Sequence, residues 1–220
     1  MLGTLANATA VVTGSAAGLL LGRKLPERLF DLVRDVVGLF TLVLGVGMAV
    51  TAKNPLVQLF SLIIGAIVGE SLKIEERLEK LASLFSSGSS RFVDGLMTAF
   101  LTYCVGPMTI VGSIKDGLGD PTILLTKSVM DGIVSVAYAA SLGVGVLASA
   151  APLLLFQGSL VLIGWVTKAI FPETVVSEIT ACGGVLLIGV GVNLLKLRKV
   201  KVGNTLPSLL FAALLAWALA

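Results

Sequence analysis

The sequence predicts an all-α membrane protein, built as a bundle of about eight hydrophobic helices. Hydrophobic residues make up 56% of the 220 positions and charged residues only 13%, and the mean hydropathy is +1.02. These values lie outside the range of ordinary soluble domains. The apolar residues fall in runs of roughly 15 to 25, the length that an α-helix needs to cross about 30 Å of hydrocarbon. No stretch shows the strict alternation of a strand.

The apolar runs define eight predicted segments, joined by short connections that leave no room for a soluble domain. They cover residues 2–21, 36–52, 55–72, 92–114, 121–149, 152–167, 179–195 and 203–220. No Lys or Arg precedes the first run and no small-residue cleavage site follows it, so we expect it to be retained as a spanning helix. The whole chain, 1–220, is therefore predicted to form a single integral membrane domain.

Two parts of the chain look like copies of one another. Each contains a Pro-Glu pair followed by a Gly-x-Gly motif: Pro26-Glu27 with Gly45 and Gly47, and Pro172-Glu173 with Gly189 and Gly191. Each motif lies in one of two sets of three apolar segments, which gives repeat 1 over 2–72 and repeat 2 over 152–220. Proline suits the first turn of a helix, where its missing N–H costs nothing. Two glycine-rich helices could also share so short a pattern by chance.

Basic residues predict the orientation through the positive-inside rule. With both the N-terminus and the C-terminus outside, twelve of the sixteen Lys and Arg residues fall on the cytoplasmic side. The two repeats then cross the membrane in opposite directions, as inverted repeats do in many secondary transporters. The stretch 73–91 becomes a cytoplasmic connector, which we expect to form a short surface helix followed by a flexible run, Ser86-Ser-Gly-Ser-Ser90.

The middle segments, 92–149, mix polar and apolar residues more than any other part of the chain. Gly106-Pro107 is predicted to break a helix inside the membrane, because proline removes a backbone hydrogen bond and clashes with the preceding turn. Asp120-Pro121 then indicates a helix start, with Asp as the capping acceptor. We therefore expect a broken middle pair, and the sequence leaves open whether its parts span the bilayer or re-enter it.

The middle segments also hold the main candidate binding residues. Lys127 and Asp131 are four residues apart on one helical face, close enough to pair. Ionisable groups inside a bilayer are costly and normally face a partner or a water-filled cavity. Asp131 is therefore a candidate to bind a cation or carry a proton, with Asp116 as a second carboxylate and Lys127 as an attractor for an anionic group. The alternative is a neutral structural pair that joins two helices.

Polar residues in other apolar segments complete the predicted site. Gln157 is followed by glycine, which would let the backbone unwind around a bound ion, whereas Asn7 and Asn193 are expected mainly to hydrogen-bond neighbouring helices. The full candidate set for a substrate or an ion is Asp131, Lys127, Asp116, Ser128, Gln157, Gly106, Asn7 and Asn193. Metal sites, cofactors and enzymatic activity are not expected, since the chain has no histidine and only two cysteines, far apart in the sequence.

Several motifs resemble those of one family of bacterial membrane proteins. They are Gly3-Thr-Leu-Ala-Asn7, the run from Cys104 to Gly117, Lys127-Ser128, Asp131-Gly132 and Phe156-Gln-Gly158. Together they resemble the YqgA/YdfK-like proteins, classed under a domain of unknown function, number 554, across nearly the whole chain. Where many relatives carry Gly-Ala-Met, this chain has Gly106-Pro107-Met108, which sharpens the predicted kink. The resemblance implies a multi-pass protein of the bacterial cytoplasmic (inner) membrane and supplies no substrate or reaction.

The sequence thus favours a small secondary transporter for an ion or small polar solute, with alternating access to a midplane site in the broken middle segments. An ion channel and a non-transporting structural or regulatory membrane protein are the alternatives. The expected partners are the lipid bilayer, a small solute or ion, and a second copy of the chain in a homo-oligomer held by small-residue helix faces. Nucleic acid is not expected, because the basic residues lie between membrane segments.

Overall fold

The computed structural model describes residues 1–22, 27–83, 89–104, 107–167 and 171–219, and within these ranges the chain is helical and contains no strand. The helices in these ranges, in chain order, are α1 (Leu2–Gly22), α2 (Glu27–Ala49), α3 (Pro55–Ser71), α4 (Ile74–Ser83), α5 (Ser89–Cys104), α6 (Pro107–Gly117), α7 (Thr122–Leu142), α8 (Val144–Ala148), α9 (Ala150–Thr167), α10 (Glu173–Leu194), α11 (Val202–Thr205) and α12 (Ser208–Ala218).

Helix length and hydropathy divide these elements into three groups. Four stretches of the described chain are long and apolar enough to cross a membrane: Leu2–Gly22, Thr122–Leu142, Val144–Val166 and Glu173–Leu194. A fifth crossing is added if α5 and α6, bent by 63° at the predicted Gly106-Pro107 break, form one broken span. Three apolar helices are shorter: Asp35–Ala49, Pro55–Ser71 and Val202–Ala218. The eight-segment count therefore stays a prediction, while the all-helical class is confirmed.

Several helix boundaries differ from the apolar windows. α2 begins at Glu27 and α10 at Glu173, well ahead of the windows 36–52 and 179–195. The window 121–149 is interrupted at Gly143, whose φ of +83° is disfavoured for residues with a Cβ, and the window 203–220 is interrupted before α12. Hydropathy marks only the apolar part of a helix, whereas backbone hydrogen bonds continue into polar first turns and stop at local breaks.

α1 and α7 pack in parallel along most of their length, and glycine permits the close approach. A Cβ added at Gly14 would lie 2.2 Å from the carbonyl oxygen of Gly132, and one added at Gly18 would lie 2.3 Å from that of Val136. Such distances exclude any side chain, so the two backbones touch directly. Small residues at a spacing of four are a common device for close helix contact in membranes.

α2 and α10 pack antiparallel through contacts that are reciprocal. A Cβ at Gly45 would lie 2.8 Å from the Gly184 oxygen, and one at Gly191 would lie 3.2 Å from the Gly38 oxygen. Gly191 and Gly184 each lie 146 positions after their counterparts Gly45 and Gly38, the same offset that separates Pro26 from Pro172. The sequence motif instead aligned Gly47 with Gly191, so the contact register differs from the Gly-x-Gly alignment by two residues.

α3 and α12 are also antiparallel neighbours, and polar contacts fix the ends of this part of the bundle. A Cβ at Gly65 would lie 2.3 Å from the Ser208 backbone nitrogen. At one end the Lys201 ammonium contacts the Glu70 carboxylate at 2.8 Å, which raises the pKa of Lys201. At the other end the Glu178 carboxylate accepts the backbone N–H groups of Lys53 and Asn54, both at 2.7 Å.

The predicted connector 73–91 contains a helix, as expected. α4 begins with two acidic residues, Glu75 and Glu76, and ends with Lys80 in its last turn, the charge arrangement that a helix dipole favours. Residues 84–88 lie outside the described residues, and they include Ser86, Ser87 and Gly88 of the Ser/Gly run predicted to be flexible, whereas Ser89 and Ser90 already belong to α5. The connector therefore contains a short helix, and its cytoplasmic position and the flexible run stay predictions.

Candidate functional site

The core of the candidate site is an ion pair on α7. The Lys127 ammonium lies 2.6 Å from Asp131 Oδ1 and 2.7 Å from Oδ2. The residues are 7% and 5% exposed, so little solvent reaches the pair from outside. The i,i+4 spacing puts both side chains on one helical face, as the sequence predicted. Because one cation contacts both carboxylate oxygens, the pair is neutral and compact.

α1 supplies a third polar group, Asn7. Its Nδ2 donates to Asp131 Oδ2 at 3.0 Å, which is the interhelical hydrogen bond expected for an amide in this position. The contact is available because the glycines of α1 bring this helix onto α7. The Asn7 Oδ1 atom is buried and has no hydrogen-bond partner among the described residues. The Asn7 amide that contacts the ion pair therefore still has an unused hydrogen-bond acceptor among the described residues.

Asp116 lies at the end of α6 and does not join Asp131. Its carboxylate contacts the first turn of α1. Its Oδ2 accepts the Thr4 backbone N–H at 3.2 Å, and its Oδ1 contacts the Met1 amino group at 3.0 Å. A carboxylate at the start of a helix is favoured by the helix dipole and by the unpaired N–H groups there. Thr4 and Asn7 are three residues apart, about 4.5 Å along α1. Thr4 and Asn7 of α1 therefore contact the two predicted carboxylates from positions about one turn apart.

The aromatic ring and hydroxyls of α5 and α7 enclose the ion pair on another side. The Tyr103 hydroxyl and Ser135 Oγ lie 2.8 Å apart, and Ser135 Oγ donates to the Asp131 backbone carbonyl at 2.6 Å. The Lys127 ammonium is 5.9 Å from the centre of the Tyr103 ring, a cation–π distance. Thr109 Oγ1 donates to the Tyr103 carbonyl across the break between α5 and α6. The Thr109 hydroxyl thus supplies a hydrogen bond to a carbonyl that loses its helical partner at the break, as backbone groups buried in a membrane require.

Gln157 on α9 is the most unusual polar residue of the set. It is fully buried, and neither Oε1 nor Nε2 has a hydrogen-bond partner within the described residues. The residues four and seven positions later, Val161 and Gly164, pack against Gly117 and Ile114 of α6, so Gln157 belongs to the face of α9 turned towards α6. Ser113, beside Ile114, is also fully buried, and its Oγ is likewise unpaired. Buried amides and hydroxyls normally have partners, so the unpaired atoms of Gln157 and Ser113 are available to hydrogen-bond a bound ion or solute.

The remaining candidates lie elsewhere. Ser128 Oγ donates to the Leu125 carbonyl of its own helix at 2.7 Å. Asn193 lies at the far end of α10, where its amide forms two hydrogen bonds to the backbone of Val200, at 2.9 and 2.7 Å. It therefore holds a connector and does not join the site around Asp131. Gly106 lies outside the described residues.

The candidate site offers oxygen atoms as possible ligands. No group of three or more His, Cys, Asp and Glu side chains converges anywhere in the described part of the chain. Carboxylate, amide and hydroxyl oxygens are present at Asp131, Asn7 and Ser113, and such oxygen ligands bind hard cations and protons. Cys104 and Cys182 are both free and buried.

The buried polar groups around Asp131, Asp116 and Gln157 form a polar layer. Four of its members were missed in the sequence: Thr4, Tyr103, Ser113 and Ser135. Ser135 follows Asp131 by four residues and Thr4 precedes Asn7 by three, so helical spacing from the recognised residues would have pointed to both. Ser113 lies within the polar run between Gly106 and Asp120. Tyr103 gave no signal, because an aromatic residue in an apolar helix usually packs in the core.

These features define the class: an α-helical membrane protein with a buried polar layer where α1, α5, α6, α7 and α9 meet. The family described as "Protein of unknown function (DUF554)" matches residues 2–217, and the chain belongs to this family. It is 34% identical to the "Uncharacterized membrane protein YdfK" of Bacillus subtilis (strain 168), covering 96% of this chain and 93% of the relative. It is 30% identical to the "Uncharacterized protein YqgA" of Escherichia coli (strain K12), covering 96% and 94%. No solved structure matches the chain.

Proposed function

We propose that this protein is a small secondary transporter for an ion or small polar solute, and not an enzyme. The observation that carries the proposal is the buried Lys127–Asp131 pair, together with buried polar atoms that have no partner in the described structure, Asn7 Oδ1 at the pair and the Gln157 amide on α9. Buried charges in membrane helices are costly and commonly mark ion or solute pathways. Purely structural polar layers would be expected to pair their amides completely.

The closed pair indicates how binding and conformational change would be linked. In the described state the Lys127 ammonium occupies both oxygens of Asp131. A cation that binds the carboxylate would compete with that ammonium, and protonation of the carboxylate would remove the attraction that holds it. Either event loosens the contact of α7 with Asn7 of α1. We therefore propose that Asp131 is the coupling residue and that Lys127 is the internal competitor for its carboxylate.

The packing of the helices supports an inverted repeat, the second part of the proposal. The reciprocal α2–α10 contacts use an offset of 146 residues, and the same offset carries the start of α2 at Glu27 onto the start of α10 at Glu173. A parallel α1–α7 pair fits a chain in which three crossings, α2, α3 and the broken α5–α6, lie between them. Rocking of two such halves about a fixed site is a common basis of alternating access.

We also propose an orientation, with the N-terminus and the C-terminus outside the bacterial cytoplasmic membrane. Lys73, Arg91 and the basic connector 196–201 lie at one end of the helices, whereas the Lys53–Glu173 pair, 3.4 Å apart, lies at the other. The basic end would face the cytoplasm under the positive-inside rule. Lipid is the proposed partner of outward apolar side chains such as Leu155 and Val43, which are 76% and 72% exposed.

The function is tested by flux in proteoliposomes that contain the purified full-length chain. Currents and tracer uptake would be measured for Na⁺, K⁺, protons, chloride, amino acids and small organic acids, in wild type and in Asp131→Asn. We expect a saturable flux that a counter-gradient can drive uphill and that Asp131→Asn abolishes. Asp120→Asn is the matched control, because Asp120 is exposed, lies just before α7 and accepts the Thr122 N–H at 3.1 Å, far from the buried pair along the helix.

Other results would favour the alternatives. A flux that follows its gradient without saturation would indicate a channel, in which the 63° break between α5 and α6 exposes backbone carbonyls to an ion. An unchanged flux in Asp131→Asn would reject the coupling role. A chain without flux for any member of the panel, in which Lys127→Met with Asp131→Asn leaves folding intact, would support a structural role for the pair.

A further inference from the structure

A second polar region lies at the basic end of the bundle, away from Asp131. It is a half-open cavity of about 370 Å³ between the start of α5, the end of α10 and the connector that follows α10. Four cationic side chains line it: Arg91, Lys196, Arg198 and Lys199. Two carboxylates, Glu75 and Asp94, also reach it, so the lining carries a net positive charge.

One of the two carboxylates is already engaged with the backbone. Glu75 Oε2 accepts the Gly203 N–H at 2.6 Å, and this bond ties α4 to α11. That hydrogen bond stabilises the carboxylate and helps to fix the wall of the cavity, and the four cations still outnumber the two carboxylates. A concave, partly enclosed surface with a net positive charge concentrates its field inward, which attracts an anion.

The backbone that carries the cations is held in place by the fold, while their side chains are exposed. The two hydrogen bonds between the Asn193 amide and Val200 fix the connector that carries Lys196, Arg198 and Lys199. The Lys196 backbone has a φ of +55°, a constrained conformation that sets the direction of the chain after α10. Arg91 is anchored separately, since its Nη2 donates to the Ser141 carbonyl at 3.4 Å. A fixed backbone lowers the entropy that these exposed side chains lose when they bind an anion.

We propose that this cavity binds a phosphate group, carried either by the headgroup of an anionic lipid or by a free anion. Two guanidinium groups, of Arg91 and Arg198, offer planar pairs of donors that match phosphate oxygens, and two lysines add charge. The site lies at the end of the helices, the depth at which lipid headgroups meet a membrane protein. Basic pockets between membrane helices on the cytoplasmic side commonly hold such headgroups. The inference does not depend on transport through the Asp131 region.

The test measures binding to the delipidated, detergent-purified full chain by its thermal stabilisation, because a ligand of the folded state raises its melting temperature. Three probes are titrated separately at constant ionic strength: inorganic phosphate, short-chain phosphatidylglycerol and short-chain phosphatidylcholine. The cavity variant is Lys196→Gln with Arg198→Gln. The matched control, Arg77→Gln with Lys80→Gln, removes the same charge from the exposed side of α4 at the same end of the molecule.

We expect the cavity variant to bind phosphatidylglycerol about tenfold more weakly and the control variant to bind it like the wild type, the change expected when charge-assisted hydrogen bonds are lost. Stabilisation by inorganic phosphate as well would identify a free anion site, and stabilisation by phosphatidylglycerol alone would identify a headgroup site. Equal weakening in both double variants would indicate general surface attraction and overturn the proposal, as would the absence of stabilisation by every probe.

A charge-conserving variant keeps the test decisive if the double variant folds poorly. Arg198→Lys retains the positive charge of the cavity but loses the planar donor pair. We expect weaker phosphatidylglycerol binding in this variant with an unchanged melting temperature in the absence of ligand. Wild-type binding by Arg198→Lys would contradict the assigned role of the guanidinium. Flux assays are not used, so a failed transport proposal would leave this result unaffected.

Discussion

Replacing Lys127 by Met provides the sharpest test of the buried ion pair. The change leaves the Asp131 carboxylate buried, with Asn7 Nδ2 as its remaining side-chain donor, at 3.0 Å. Met is close to Lys in length and apolar, so the packing of the side chain is largely kept. Asp131→Asn makes the opposite single change and leaves the Lys127 ammonium facing the Tyr103 ring at 5.9 Å. The double variant removes both charges together.

The expected magnitudes follow from the burial of the pair, whose residues are 7% and 5% exposed. Removing one partner of a buried ion pair costs about 3–5 kcal/mol, and charged groups near the centre of a membrane helix cost about 3 kcal/mol in insertion measurements. We therefore expect each single variant to lose about 3 kcal/mol, roughly 6–12 °C in melting temperature for a chain of this size. In the double variant the new amide can still accept from Asn7, so the expected loss is about 1 kcal/mol.

Unfolding of all four proteins in one mixed-micelle condition gives a double-mutant cycle. Losses of about 3 kcal/mol in each single variant and about 1 kcal/mol in the double variant correspond to an interaction free energy of about 5 kcal/mol in favour of the intact pair. Lys53→Met serves as the control, because Lys53 and Glu173 form an exposed pair 3.4 Å apart, and exposed pairs contribute little to stability. Single variants as stable as the wild type, or additive losses in the cycle, would refute the buried, low-dielectric pair.

Two further predictions concern packing and the connector after α10. Gly184→Ala places a methyl group 2.3 Å from the α2 backbone and should destabilise the bundle by about 1–3 kcal/mol in the same unfolding assay. The control Gly47→Ala, with no atom within 4 Å of the added methyl group, should be neutral or slightly stabilising. Equal effects of the two substitutions would contradict the α2–α10 contact. Asn193→Ala removes both hydrogen bonds to Val200 and should speed protease cleavage of the connector, without changing the site around Asp131. Unaltered cleavage would show that the Asn193 amide does not hold this segment.

The class of the protein and much of the helix order could be predicted from the sequence, because both depend on local properties. Apolar runs of sufficient length become helices in lipid, since every backbone group must be satisfied within its own segment. Proline at position 107 marked the break between α5 and α6, and Asp120 marked the start of α7, as the bond from the Thr122 N–H confirms. Hydrogen bonds from Thr122 also hold the pKa of the Asp120 carboxyl below its usual range.

The composition of the candidate site was predicted only in part. The i,i+4 pairing of Lys127 with Asp131 followed from helical periodicity. Asn193 was placed in the same set as Asp131, yet its partner is Val200, only seven residues away in the sequence. Residue type and local hydropathy describe how costly a polar group is in lipid, but they do not say which neighbour satisfies it.

The sequence alone determined that this chain is a helical membrane protein, where its main breaks fall and which charges are costly in the bilayer, because those properties arise from residues close together in the chain. Only the tertiary structure decided that α1 runs parallel to α7 and that Asn7 reaches Asp131 while Asp116 caps α1. It also decided that Gln157 is buried with no hydrogen-bond partner for its amide among the described residues. These contacts join residues more than 100 positions apart. These contacts depend on which helix faces meet, and that choice is made where glycines allow two helix backbones to approach closely.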